Sequence, residues 1–105
     1  MDKKVASLLS LCMRARKLVA GESACEAAIR SGDAKLILIA EDASENTRKK
    51  FSNRAFYYKV PVVFYGHREE ISKAIGKENR VILAVIDSGF VGGILKNLEV
   101  GGCLN

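Results

Sequence analysis

The sequence predicts an α/β fold, a three-layer α/β/α sandwich on a small mixed, mostly parallel sheet. Three apolar runs lack the polar alternation of a half-exposed strand, so they predict strands covered on both faces. Helical patterns alternate with these runs along the chain, as in sandwiches of this class. A length of 105 residues, 49% of them apolar, suits one domain with its own core. We therefore predict a single α/β/α domain over residues 1–100 and a frayed tail over 101–105.

The first helix is predicted to be amphipathic. Apolar side chains recur at steps of three and four residues from Val5 to Val19, and basic side chains follow another face. Residues 18–20 can form a short extended piece. Gly21 then leads the chain into a second helix.

The second helix is predicted to begin at Ser23, because Ser23 followed by Glu26 fits the capping box. Its alanines keep it slim enough for close packing. Gly32 suits the left-handed position that closes a helix. The continuous apolar run that follows Lys35, over 36–40, then predicts a central strand.

The remaining elements alternate in the same way: a helix over 43–59, a strand over 62–65, a short helix over 68–75, a strand over 81–86 and a last helix capped by Ser88. Pro61 stops the first of these helices, because proline cannot continue a helix. One side of that helix is predicted to carry Thr47, Phe51, Ala55 and Tyr58.

The charge balance favours a polyanionic partner. Seventeen basic and twelve acidic residues leave a net charge of +5, which favours nucleic acid over a membrane surface. Many small basic domains nevertheless bind nothing charged. The N-terminal segment is too charged for a signal peptide or a membrane span. Cys12, Cys25 and Cys103 have no paired spacing, so we predict reduced core thiols. The cytoplasm is the expected location, and a monomer is the expected state.

No motif in the sequence supports an enzyme, a cofactor or a metal. His67, the only histidine, is interpreted as a solvated turn residue, because no second ligand lies near it in sequence. Glu41 and Asp42 are adjacent, as are Glu69 and Glu70, which indicates helix starts rather than an acid–base pair. The glycines over 89–93 lack a nucleotide-binding spacing and are interpreted as helix packing.

Three stretches carry a family resemblance: GESACEAAIRSGDAKLILIAEDAS, VPVVFYGHREEISKAIG and RVILAVID. Over residues 5–98 the chain resembles the ribosomal protein L7Ae family of kink-turn RNA-binding proteins, and within it the short bacterial YlxQ-type members. The resemblance implies a non-catalytic, RNA-binding α/β/α domain. Its partner would be a sharply bent RNA loop with sheared G·A pairs, or ribosomal RNA on the ribosome.

The resemblance also implies where the RNA would lie. The implied contact residues are Gly21, Glu22, Ser23, Ala24, Ala27, Glu41, Asp42, Lys77, Asn79 and Arg80. A helix N-terminus offers amides to phosphate, and glycine lets the RNA backbone approach closely. Lys77 and Arg80 would contact phosphates, and Asn79 would hydrogen-bond bases.

The sequence departs from the family pattern at three of these positions. Asparagine, glutamate and lysine are usual where this chain has Ser23, Ala24 and Ala27. Each lost base contact costs on the order of 1–3 kcal/mol, so three losses can remove most specificity for a standard kink-turn. Glu22, offset by one position, can replace part of the base hydrogen bonding of the usual glutamate.

Each predicted contact also has a purely structural interpretation. Ser23 can be only a helix cap, and Asp42 can cap the third helix together with Glu45. Lys49 and Lys50 can form a solvated face, and Lys77 and Arg80 can be solubilising loop charges. The alternative function is a protein-binding module, with the alanines forming a smoother surface.

Overall fold

The computed structural model describes the backbone of residues 1–101 and the side chains of residues 1–98. Its elements are α1 (Lys3–Arg14), β1 (Leu18–Ala20), α2 (Glu22–Ser31), β2 (Leu36–Ile39), α3 (Glu45–Tyr57), β3 (Val62–Phe64), α4 (Arg68–Ala74), β4 (Ile82–Val85) and α5 (Ser88–Gly101). Of the predicted frayed tail, Gly101 is the last residue of α5, and the remainder lies outside the described residues. Cys103 also lies outside them.

The four strands of the described chain form one mixed sheet in the order β1-β4-β2-β3. Only β2 and β3 pair in parallel, whereas β4 is antiparallel to both β1 and β2. The predicted small mixed sheet is confirmed, but the expectation that it is mostly parallel is wrong. β4 starts at the end of the sheet where β2 and β3 finish, so the segment between β3 and β4, which includes the seven-residue α4, does not carry the chain back along the sheet.

Helices cover both faces of this sheet, which confirms the three-layer sandwich. Alternate strand residues point to opposite faces. Leu36 and Leu38 belong to a core with α1, α4 and α5. Ile37 and Ile39 belong to a second core with α2 and α3. All four side chains are fully buried, as the apolar run predicted.

α1 is shorter than its apolar pattern suggested. It ends at Arg14, because Arg16 adopts a left-handed conformation (φ +60°) that closes the helix. Ala15 is therefore exposed, and Val19 lies in β1 rather than in the helical row. The short extended piece over 18–20 is confirmed as β1.

α2 begins one residue earlier than predicted, at Glu22, with Gly21 as its N-cap. No side chain caps this end, so the predicted capping box of Ser23 and Glu26 is wrong. Ser23 lies inside the first turn because the helix starts directly after β1. The left-handed Gly32 (φ +85°) closes the helix as predicted.

α3 is capped by Ser44, whose hydroxyl oxygen accepts the amide of Thr47 at 3.2 Å. The interpretation of Asp42 as this cap is therefore wrong. Tyr58 is the C-cap residue and is 41% exposed, so it does not continue the buried row of Phe51 and Ala55.

The cap of α5 also differs from the prediction. Ser88 is the first helical residue, and the Asp87 carboxylate accepts the Gly89 amide at 2.7 Å. The side chain that satisfies this first-turn amide is therefore that of Asp87 rather than Ser88.

Candidate nucleic-acid interface

An open groove of about 450 Å³ lies between the N-terminus of α2 and the chain that enters β4. Six of the ten predicted contact residues line it: Gly21, Glu22, Ser23, Ala24, Asn79 and Arg80. They belong to two segments, 21–24 and 79–80, that are more than fifty residues apart in sequence. They meet because β1 and β4 are neighbouring antiparallel strands, and the end of one lies beside the start of the other.

Gly21 sets the geometry of the groove. Its amide donates to the Ile82 carbonyl at 3.0 Å, and its own carbonyl accepts the Cys25 amide at 3.0 Å. Its backbone (φ +97°, ψ 158°) falls in a region that is essentially restricted to glycine. Glycine has no side-chain oxygen to cap α2, so the first-turn amides remain for a ligand.

Arg80 stands beside this helix start. A β-carbon added at Gly21 would lie 3.8 Å from the Arg80 Nε, so the arginine side chain lies against the turn. The Arg80 guanidinium also donates to the Glu78 carbonyl. A cationic side chain and the positive end of the α2 dipole thus face the same groove.

The Arg80 backbone is fixed by Ser72, which the sequence did not single out. The Ser72 hydroxyl accepts the Arg80 amide at 2.7 Å and donates to the Arg80 carbonyl at 3.2 Å. Ser72 is only 4% exposed. Nothing in the local pattern distinguishes this serine from other polar residues of a short helix.

Arg68 connects two predicted contact residues and was also missed. Its Nε lies 3.3 Å from the Asp42 Oδ2, and its Nη1 donates to the Asn79 Oδ1 at 3.4 Å. The Arg68 amide also donates to the Asp42 Oδ1 at 2.9 Å. Arg68 occupies the first turn of α4, where the helix dipole disfavours a cation. That unfavourable position was the one sequence signal that it has a partner.

The contacts with Arg68 also affect the ionisation of Asp42. Partial desolvation raises the pKa of Asp42, but the hydrogen bonds and positive charge of Arg68 outweigh it and lower the pKa below its ordinary value. Asp42 therefore remains ionised down to acidic pH and keeps Arg68 and Asn79 in place beside the groove.

Glu41 has a different role from its neighbour. Its carboxylate accepts the Gly66 amide at 3.0 Å, and its amide donates to the Gly66 carbonyl at 2.8 Å. It lines a separate depression with Met1, Tyr65 and residues of the β3–α4 turn, not the groove. Glu41 thus holds the exit of β2 to that turn.

Lys77 and Ala27 are exposed but do not line the groove. Lys77 borders the α4 side of the 77–80 loop. Ala27 lies one turn further along α2. Glu22 lies 3.9 Å from the Lys50 Nζ, so its carboxylate is partly engaged with α3. Lys49 pairs with Glu45 on the helix surface, in line with a solvated face.

Cysteine, histidine and metal-ligating acidic side chains are the residue types that would carry chemistry other than binding. The described residues contain no group of three or more histidine, cysteine or acidic side chains that could hold a metal. Burial raises the pKa of Cys12 to about 11, with Asp87 adding to the shift, and that of Cys25 to about 12. His67 is exposed beside Glu70. None of the helices described is long and apolar enough to cross a bilayer.

Residues 3–91 match the sequence model of the ribosomal protein L7Ae/L30e/S12e/Gadd45 family. The chain belongs to this family. The RNA-binding protein YlxQ of Bacillus subtilis (strain 168) is 46% identical over 92 residues, which cover 88% of this chain and 92% of that protein. The RNA-binding protein YlxQ of Enterococcus faecium is 42% identical over 88 residues, 84% of each chain. These matches confirm the predicted resemblance.

A solved structure shares the fold of this chain. A protein with unknown function from Bacillus halodurans C aligns with a TM-score of 0.88 and 35% sequence identity. The alignment covers 93% of this chain and 99% of that chain. The fold of that protein therefore extends over nearly the whole of this chain.

Proposed function

We propose that this protein is a non-catalytic RNA-binding protein that holds a bent, structured RNA in the groove between α2 and the 79–82 segment. The observation that carries the proposal is the meeting of an uncapped helix N-terminus with Arg80 at Gly21. Amides and a guanidinium converge there on a space open to solvent, which suits a phosphate group. The net charge of +5 supports the same partner.

The relatives support RNA as the ligand, because both YlxQ proteins are RNA-binding proteins. We propose that this RNA is a kink-turn or a similarly bent RNA in the cytoplasm, such as a segment of ribosomal RNA, and that the protein binds it as a monomer. Ser23 and Ala24 line the groove but offer bases only one hydroxyl. RNA binding therefore relies on backbone amides, Arg80 and Asn79, and its base specificity is weaker than the usual family pattern provides.

The test is a titration of the protein into a labelled kink-turn RNA and a matched straight duplex, at low and physiological salt. We expect tighter binding to the kink-turn. Arg80→Ala should weaken it severalfold and reduce the salt slope by about 1, the loss of one phosphate contact. Arg14→Ala removes the same charge from the exposed end of α1 and serves as the matched control.

Two results would contradict the proposal. Equal, weak and salt-sensitive binding to both RNAs would indicate only a basic surface. No binding even at low salt would favour the alternative function, a protein-binding module that uses the exposed Ala24 and Ala27.

A further inference from the structure

Three consecutive aromatic side chains at the end of α3 are exposed to solvent. Phe56 is 86% exposed, Tyr57 78% and Tyr58 41%. Solvent-exposed aromatic side chains that cluster in this way mark binding surfaces more often than isolated exposed apolar residues do. The groove described above does not include them.

This aromatic cluster, residues 56–58, lies away from the groove. The groove is at the end of the sheet where β2 finishes, since Ile39 pairs with Ile82 there. The cluster precedes β3, and the Pro61 carbonyl accepts the amide of Ile37 near the start of β2. The thirteen residues of α3 span about 20 Å between the two ends.

The backbone that carries the cluster is fixed by hydrogen bonds. Lys59 adopts a left-handed conformation (φ +60°), and its amide donates to the Phe56 carbonyl at 3.1 Å. The Val60 amide donates to the Ala55 carbonyl at 2.8 Å, which completes a closed C-terminal turn. The rings of Tyr57 and Tyr58 meet edge to face, with centroids 5.0 Å apart. The rings therefore extend from a fixed turn, which lowers the entropy lost on binding.

The surroundings of the cluster are basic and polar. Lys49 and Asn53 precede Phe56 by seven and three residues, so all three lie on one face of α3. A shallow groove of about 370 Å³ along α3 is lined by Glu45, Arg48, Lys49, Ser52, Asn53 and Phe64. α3 carries four basic residues and one acidic residue, and Lys59 follows it. Lys49 pairs with Glu45, and Lys50 and Arg54 pair with Glu26 of α2. Arg48 and Lys59 form no ion pair with a described residue, so their charges suit a phosphate backbone.

We propose that Phe56, Tyr57 and Tyr58 form a stacking platform for unpaired bases of a single-stranded RNA segment, whose phosphates contact Lys59 and the basic outer face of α3. The inference rests on the proposed RNA-binding function but uses a different surface. Aromatic faces beside cations bind single strands with little sequence preference, because every base has a face that can stack. A structured RNA with a single-stranded extension would then contact both ends of the protein.

The test compares two labelled RNAs, the kink-turn alone and the kink-turn with a single-stranded oligoadenylate tail of about ten nucleotides. A free oligoadenylate is the third probe. We expect the tail to increase affinity at least fivefold, and Phe56→Ala/Tyr57→Ala to abolish this increase while binding of the untailed RNA stays unchanged. Arg80→Ala should weaken binding of the untailed RNA but leave the increase in affinity caused by the tail unchanged. Tyr57→Phe keeps an aromatic ring and should retain the increase, whereas Tyr57→Leu should not.

A spectroscopic signal reports stacking directly. The protein has three tyrosines and no tryptophan, so quenching of tyrosine emission by oligoadenylate follows bases that stack on Tyr57 and Tyr58. If the untailed RNA binds but the tail adds no affinity and causes no quenching, the platform is overturned and the proposed function is left intact. Binding of no RNA at all would overturn both. If the wild-type protein is a dimer and Phe56→Ala/Tyr57→Ala converts it to a monomer, the aromatic cluster is a protein interface and the platform is overturned.

Discussion

The amide and guanidinium of Arg68 hold the carboxylate of Asp42, with the amide nitrogen 2.9 Å from Oδ1 and Nε 3.3 Å from Oδ2. This pair joins the exit of β2 to the start of α4, and Arg68 also reaches Asn79 beside the groove. The pair is exposed on the surface, so its contribution to stability is small. Its main effect is to position the loop that borders the groove.

The first prediction concerns the pH dependence of this pair. The pKa of Asp42 is lower in the folded protein than its ordinary value, so the carboxylate stabilises the fold above its unfolded pKa. That stabilisation is lost as the pH falls through the folded pKa, below about 4. Asp42→Asn should therefore reduce the free energy of unfolding at neutral pH by about 1 kcal/mol or less.

The measurement is urea unfolding of both proteins across this pH range. The difference between them should shrink towards zero in acid. The pKa of Glu70 is also lowered, because its carboxylate accepts hydrogen bonds from the N-terminal amine and from the His67 amide. Glu70 is present in both proteins, so its titration cancels. A difference that persists unchanged in acid would contradict the assignment.

The second prediction concerns Gly21. Its backbone conformation is essentially restricted to glycine, so Gly21→Ala should lower the free energy of unfolding by about 1–3 kcal/mol. An added β-carbon would meet Arg80 only at ordinary contact distance, so backbone strain rather than a clash is the cause. Thermal unfolding measures this loss. Ala6→Gly, within α1, is a comparison in which a helical residue becomes glycine. It should lower the free energy of unfolding by about 1 kcal/mol or less and leave RNA affinity unchanged.

The third prediction is a gain of RNA affinity. Ser23→Asn, Ala24→Glu and Ala27→Lys together restore the usual family pattern on the exposed face of α2. The triple variant should bind a kink-turn RNA at least tenfold more tightly, since one good base contact contributes about 1–3 kcal/mol. The three changes leave the net charge unaltered, so non-specific attraction cannot explain a gain. Unchanged affinity in a kink-turn titration would show that the groove does not hold this RNA.

The fourth prediction concerns the buried thiols. Burial raises the pKa values of Cys12 and Cys25, with Asp87 contributing at Cys12, so at about pH 8 almost no reactive thiolate is present. In a Cys103→Ser variant, which removes the third thiol, a disulfide reagent should modify the folded protein only as fast as it unfolds. Concentrated urea should make both thiols react at once. Rapid modification of the folded protein would contradict the burial of these residues.

Most elements of the fold could be predicted from the sequence because their signals are local. The run over 36–40 was wholly apolar, and β2 is buried on both faces as expected. The three quoted stretches also predicted the family. The directions of the strands were not predictable, because a strand covered on both faces has the same apolar pattern in either orientation.

The candidate site was only partly predictable. Gly21 and Arg80 were identified, and they meet in the groove. Ser72 and Arg68 were missed, because each acts on a residue outside its own helix: Ser72 binds the backbone of Arg80, and Arg68 binds Asp42. The aromatic cluster was missed in part because Tyr58 fits the helical row, although α3 ends before it.

The sequence by itself determined the helices, the buried strands and the family, since hydrophobic periodicity and turn residues act over a few neighbouring positions. The tertiary structure decided that β4 runs antiparallel beside β1, which brings Arg80 to Gly21. It also decided that the aromatic rings at the end of α3 are exposed and lie away from the groove. These features depend on which elements pack together, and that is a property of the whole chain rather than of any short segment.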